Sequence, residues 1–163
     1  MKKKIQTQGK TRGLLIGGLV GVALVTASIT VYGLNRQENS SKAEITVYKS
    51  PTCGCCKAWV SHLRKAGFKV RAIDRKDINR IKAANGVRPE YASCHTAIVN
   101  GYVIEGHVPA DLVARLLREK PDIKGLAVPG MPMGSPGMEG PRKDPYQVLT
   151  FDEQGHLAVY ANR

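Results

Sequence analysis

Apolar and polar positions change their spacing several times along the chain, and each change marks an element. Gly13 to Leu34 is a run of 22 residues without charge. A spanning helix needs about 20 mostly apolar residues, so this run predicts a transmembrane helix. Glu44 to Lys49 then alternates, with β-branched Ile45, Thr46 and Val47, as a strand does. From Cys56 the period becomes helical: Ala58, Trp59, His62, Leu63 and Ala66 recur every three or four residues, and Gly67 is a fitting stop. Phe68 to Ile73 alternates again. Asp74 or Asp77 can open a short helix carrying Ile78, Ile81 and Ala84, ending near Gly86.

Two apolar runs flank Asn100-Gly101, the strongest short-range hairpin signal. Val108 to Lys120 reads as a helix with Leu112, Val113, Leu116 and Leu117 on one face. Gly125 to Pro145 is rich in Gly, Pro and Met and fits no regular element, which predicts a long loop. Tyr146 to Phe151 and Leu157 to Tyr160, around Glu153-Gln154-Gly155, form a second hairpin, added to the sheet or packed beside it. The order β-α-β-α-β-β-α is that of a thioredoxin-like α/β sandwich, here with an added C-terminal hairpin and an N-terminal transmembrane helix.

Charge changes the picture at the N-terminus. Lys2, Lys3, Lys4, Lys10 and Arg12 precede the apolar run with no acidic residue among them, which predicts a cytoplasmic N-terminus and a domain outside. Val25-Thr26-Ala27 offers a signal-peptidase site, but the length of the run favours an uncleaved anchor. The chain thus divides into a cytoplasmic basic segment 1–12, an anchor or signal 13–34, a polar linker 35–43 and a folded domain 44–163. The net charge is +12. The remaining basic residues are scattered, with no aromatic-interleaved stripe, so a solvated surface explains them and nucleic acid is not an expected partner.

The chemistry is concentrated in Ser50-Pro51-Thr52-Cys53-Gly54-Cys55-Cys56-Lys57, which holds three of the four cysteines. A strand, a Cys-x-x-Cys turn and a helix suit a redox pair or a metal site. Vicinal Cys55 and Cys56 are poor bridge partners, whereas a Cys53–Cys56 disulfide is feasible. Cys55 is superfluous for dithiol exchange and points towards metal. Cys94-His95 enters the third strand, where such folds place a cis-proline facing the turn. His107 follows the first hairpin. His62 reads as half-buried packing and His156 as a surface residue. Met131, Met133 and Met138 lie in the loop, where helical core packing cannot account for them. Thiolate, thioether and imidazole together select Cu(I). Zinc is the main competitor but has no need of methionines.

Four motifs, Thr-Cys-Gly-Cys-Cys-Lys-x-Trp, Ser-Cys-His-Thr-Ala, Tyr-Val-Ile-Glu-Gly-His-Val-Pro and Val-Pro-Gly-Met-Pro-x-Gly-Ser-Pro-Gly-Met-Glu, occur in this order. Over Glu44 to Tyr160 the chain resembles the CopG-like metal-binding family, also known as domain of unknown function 411. The resemblance implies an exported, thioredoxin-like protein associated with copper resistance that binds copper through cysteines. Its implied metal ligands are Cys53, Cys55, Cys56 and Cys94, with His95, His107, Met131 and Met133 as further candidates. The expected function is sequestration or redox conversion of copper outside the cytoplasm. The alternatives are a thiol–disulfide oxidoreductase using Cys53 and Cys56, and a copper chaperone that hands its ion to a copper-handling or redox protein partner.

Overall fold

The computed structural model describes residues 43–163. The basic segment and the apolar run lie outside the described residues. Within them no helix is long and apolar enough to cross a membrane.

One seven-stranded sheet in the order β2-β1-β3-β4-β5-β6-β7 organises the chain. β1 (Glu44–Lys49) pairs in parallel with β2 (Lys69–Asp74), and the twelve-residue helix α1 (Gly54–Lys65) connects them. α2 (Ile78–Ala84) leads to β3 (His95–Val99), which runs antiparallel both to β1 and to β4 (Tyr102–Glu105). The turn between β3 and β4 places Asn100 and Gly101 both at positive φ, as a two-residue hairpin loop requires. α3 (Ala110–Glu119) follows, so the expected β-α-β-α-β-β-α order is present.

The stretch read as one long loop contains a strand. β5 (Gly125–Ala127) pairs in parallel with β4 and antiparallel with β6 (Gln147–Phe151). Its three residues are all buried, so no polar–apolar alternation announces it. A side chain at Gly125 would collide with the Val103 carbonyl and the Phe151 ring, so glycine marks a close strand approach here. The final hairpin therefore joins the sheet edge through β5, with β7 (Leu157–Asn162) outermost.

The main core lies on one face of the sheet. Trp59, Val60 and Leu63 of α1 and Leu112, Val113, Leu116 and Leu117 of α3 pack on Ile45, Val47, Ala97, Val99, Ile104 and Leu126. Trp59 is fully buried, and its indole N–H donates to the Val108 carbonyl at 2.8 Å. The opposite face carries a smaller cluster of Val87, Tyr91, Val103, Ala127 and Phe151. Also buried there is an ion pair, Lys82 of α2 with Glu105 of β4, at 2.5 Å. These two faces grip the N-terminal end of β3, where Cys94 and His95 sit.

Candidate metal and thiol centre

The helix α1 begins two residues earlier than its apolar period suggests, at Gly54. Cys53 is consequently its N-cap, and its sulfur accepts the Cys56 N–H at 3.2 Å. Sulfur takes the place that Ser, Thr, Asp or Asn usually fills. Cys55 and Cys56 lie in the first turn of the helix.

Cys53 and Cys56 are joined in a disulfide with Cα atoms 5.3 Å apart, and Cys55 and Cys94 are free. The four sulfurs form one cluster. Cys53 Sγ is 3.4 Å from Cys55 Sγ, and Cys94 Sγ is 3.7 Å from Cys55 and 3.5 Å from Cys56. Cys94 also touches two imidazoles, His95 Nδ1 at 3.3 Å and His107 Nε2 at 3.0 Å. Cys94 is thus the hub that joins the sulfur group to the histidine pair.

His107, which follows the first hairpin, is fully buried. Its Nδ1 lies 2.8 Å from the Pro136 carbonyl. A carbonyl only accepts, so Nδ1 carries the proton and Nε2 turns its lone pair towards Cys94. The loop thereby fixes an imidazole tautomer, as outer-sphere partners of metal-ligating histidines do. The loop can come this close because Gly137 has φ +86° and no side chain; a Cβ there would stand 2.7 Å from the Cys55 carbonyl. His95 stacks against Trp59 with ring centroids 4.4 Å apart, and its Nε2 is buried without a hydrogen-bond partner.

Of the eight residues singled out from sequence, the structure gathers Cys53, Cys55, Cys56, Cys94, His95 and His107. The methionines are placed differently. Met131 is 53% exposed, and the Met133 sulfur packs against Gly140 within the loop. His62 takes another part: its Nε2 accepts the Ala110 N–H at 3.1 Å. The N-cap of α3, Pro109, has no side-chain acceptor, so an imidazole from α1 supplies one.

Sequence reasoning missed the support beneath Cys94. Glu105 accepts the Ser93 N–H at 2.6 Å and the Thr96 hydroxyl at 2.7 Å, and Lys82 donates to Thr96 at 3.1 Å. Ser93 and Thr96 flank Cys94 and His95, so one buried carboxylate holds both ends of the ligand pair. A signal was present: Lys82 lies four residues after Ile78, on the apolar side of its helix.

Burial pushes the Cys94 thiol up to about 12, with the neighbouring Cys55 adding to the effect. Burial also lowers His62 and His107 below the ordinary imidazole value, and His95 well below it, where His107 and Lys82 add to the effect. An imidazole lowered by folding contributes stability that is whole above its unfolded value of 6.5 and is lost as pH falls through the folded value. The reduced, metal-free protein is expected to unfold at lower urea concentration at about pH 5 than at about pH 7.5, with His62→Gln shrinking the difference. An unchanged midpoint would refute this.

The family model described as "Protein of unknown function, DUF411" matches residues 91–138, the segment holding Cys94, His95, His107 and the methionine loop. None of the curated proteins compared matches the chain. A solved structure described as "Copper resistance protein copG, Form 2" is 45% identical with a TM-score of 0.72, covering 75% of this chain and 98% of that one. Form 1 of the same protein gives 45% identity and a TM-score of 0.70, covering 74% and 96%. With nearly the whole length of those relatives aligned at this identity, the chain belongs to the CopG-like copper-resistance family.

Proposed function

We propose that this protein is an extracytoplasmic, membrane-anchored copper-binding protein of thioredoxin-like fold that sequesters copper or changes its oxidation state. Copper is its cargo. The observation that carries the reading is the sulfur cluster itself: four cysteine sulfurs, two of them joined as a disulfide, with non-bonded neighbours 3.4–3.7 Å apart and an imidazole lone pair turned towards one of them. Soft thiolates with imidazole suit Cu(I), and His95 Nδ1, 3.3 Å from Cys94 Sγ, is a further nitrogen at the same place. The relatives described as copper resistance proteins support the choice of metal.

The disulfide adds a redox capacity. Opening Cys53–Cys56 takes up two electrons and two protons and doubles the free thiols of the cluster. In the reverse direction the same dithiol can reduce two Cu(II) ions to Cu(I) as the bridge forms. That bridge also favours a second reading, a thiol–disulfide oxidoreductase acting through Cys53 and Cys56.

One titration decides between them. Anaerobic, fully reduced protein is expected to take Cu(I) from a chromogenic chelator, and disulfide-oxidised protein to compete poorly. If the reduced protein leaves the chelator complex intact while still reducing a disulfide substrate, the oxidoreductase reading stands and the copper reading falls. Location is checked by protease treatment of cells whose outer barrier has been opened; a protected domain would refute export.

A further inference from the structure

Once Cys53 and Cys56 are joined, the two free thiols touch different ends of the bridge. Cys55 Sγ is 3.4 Å from Cys53 Sγ, and Cys94 Sγ is 3.5 Å from Cys56 Sγ. The two possible attacks lead to unequal products. Cys55 on Cys53 would close a bridge between residues two apart at the first turn of α1, where disulfide geometry is hard to satisfy. Cys94 on Cys56 would link β3 to α1 and expel Cys53. The expelled sulfur already accepts the Cys56 N–H at 3.2 Å and sits at the helix N-terminus. Both features stabilise a thiolate, and a stabilised thiolate leaves faster.

The attacking thiol has a base beside it. The Pro136 carbonyl fixes His107 so that Nε2 faces the Cys94 thiol at 3.0 Å. A nucleophile, a base within hydrogen-bond reach and a third group orienting that base make up the arrangement used in covalent catalysis. The Cys53 and Cys94 sulfurs lie within 4.8 Å of one another, so Cys94 stands beside the bridge rather than in line with it. We propose an intramolecular thiol–disulfide exchange in which the Cys94 side chain turns into line with the bridge, attacks Cys56 and releases Cys53.

In this step the Cys94 proton passes to His107 Nε2 as the Cys94–Cys56 bond forms. The Cys53–Cys56 bond breaks with its electron pair on Cys53, and the proton then moves from imidazolium to the Cys53 thiolate. One disulfide and two free thiols stand on each side, so no oxidant or reductant is consumed. The consequence rests on the copper reading above: the free thiols become Cys53 and Cys55, two neighbours on the turn. The position of the bridge then selects which sulfurs meet a soft metal ion.

The test uses the full chain, oxidised at the bridge and kept anaerobic. In Cys55→Ser protein Cys94 holds the lone free thiol, so any N-ethylmaleimide label on Cys53 reports exchange. Label on Cys53, together with a peptide in which the turn is linked to Cys94, is the expected result, at a ratio independent of protein concentration. His107→Asn in the same background should slow the appearance of that label by at least ~10-fold. Label confined to Cys94, with no linked peptide, overturns the exchange. If Cys55→Ser does not fold, the wild type gives the same answer. Its exchanged form is a linked peptide with both free turn thiols labelled, and the absence of that peptide overturns the proposal. Cu(I) uptake by the reduced wild type does not depend on exchange, so failure here and failure of the copper reading are distinguishable.

Discussion

Cys94→Ser in the fully reduced protein lowers Cu(I) affinity by at least ~100-fold in competition with a chromogenic chelator. Cys94 Sγ touches Cys55, Cys56, His95 and His107, so its loss separates the turn from the histidines. Serine keeps the shape but offers a hard oxygen whose proton a soft ion does not displace. Cys94 also carries a proton cost, since burial holds it up to about 12. Its proton must leave before metal can bind, so the wild-type protein releases acid as it takes up Cu(I). Met131→Leu is the contrasting variant. Met131 is 53% exposed, and its replacement should shift affinity by no more than about threefold. Cys94→Ser binding within threefold of wild type would remove Cys94 from the ligand set.

The sequence was most legible where local chemistry and global fold agree. Asn100-Gly101 required a tight hairpin wherever its strands lay, because both residues take positive φ. The face of Leu112, Val113, Leu116 and Leu117 had to be buried, and it is. β5 escaped notice because a three-residue strand buried on both faces carries no alternation, and its glycine reads as loop. In the site, the three cysteines of the turn were plain from spacing. Cys94 could be placed opposite them through the strand order. What no local pattern shows is that Pro136, 29 residues on, orients His107, or that His62 closes the start of α3. Those contacts exist only after the helices dock. The loop methionines show the reverse case: their chemistry suggested ligands, while Met131 is exposed and the Met133 sulfur lies against Gly140.

Glu105→Leu is expected to destabilise the protein by about 3–5 kcal/mol in urea unfolding, because it leaves Lys82 charged and buried with no counterion. The intact pair is not thereby a stabiliser. Burial holds the Glu105 carboxyl above its ordinary value even though Lys82, Thr96 and Ser93 all pull it down. A carboxyl raised by folding withdraws stability as pH climbs through the carboxylate range, so ionised Glu105 costs the folded state at neutral pH. Lys82→Met combined with Glu105→Leu should therefore recover stability to within about 1 kcal/mol of wild type or exceed it. Copper binding should not recover with it. Ser93 and Thr96 would still lack the carboxylate that holds the two ends of Cys94-His95, and Cu(I) affinity should stay about tenfold below wild type. A double variant as stable as wild type that also binds Cu(I) as tightly would show the buried pair to be structural alone. Restored stability with weakened binding would show that the pair is kept to aim Cys94 at the turn.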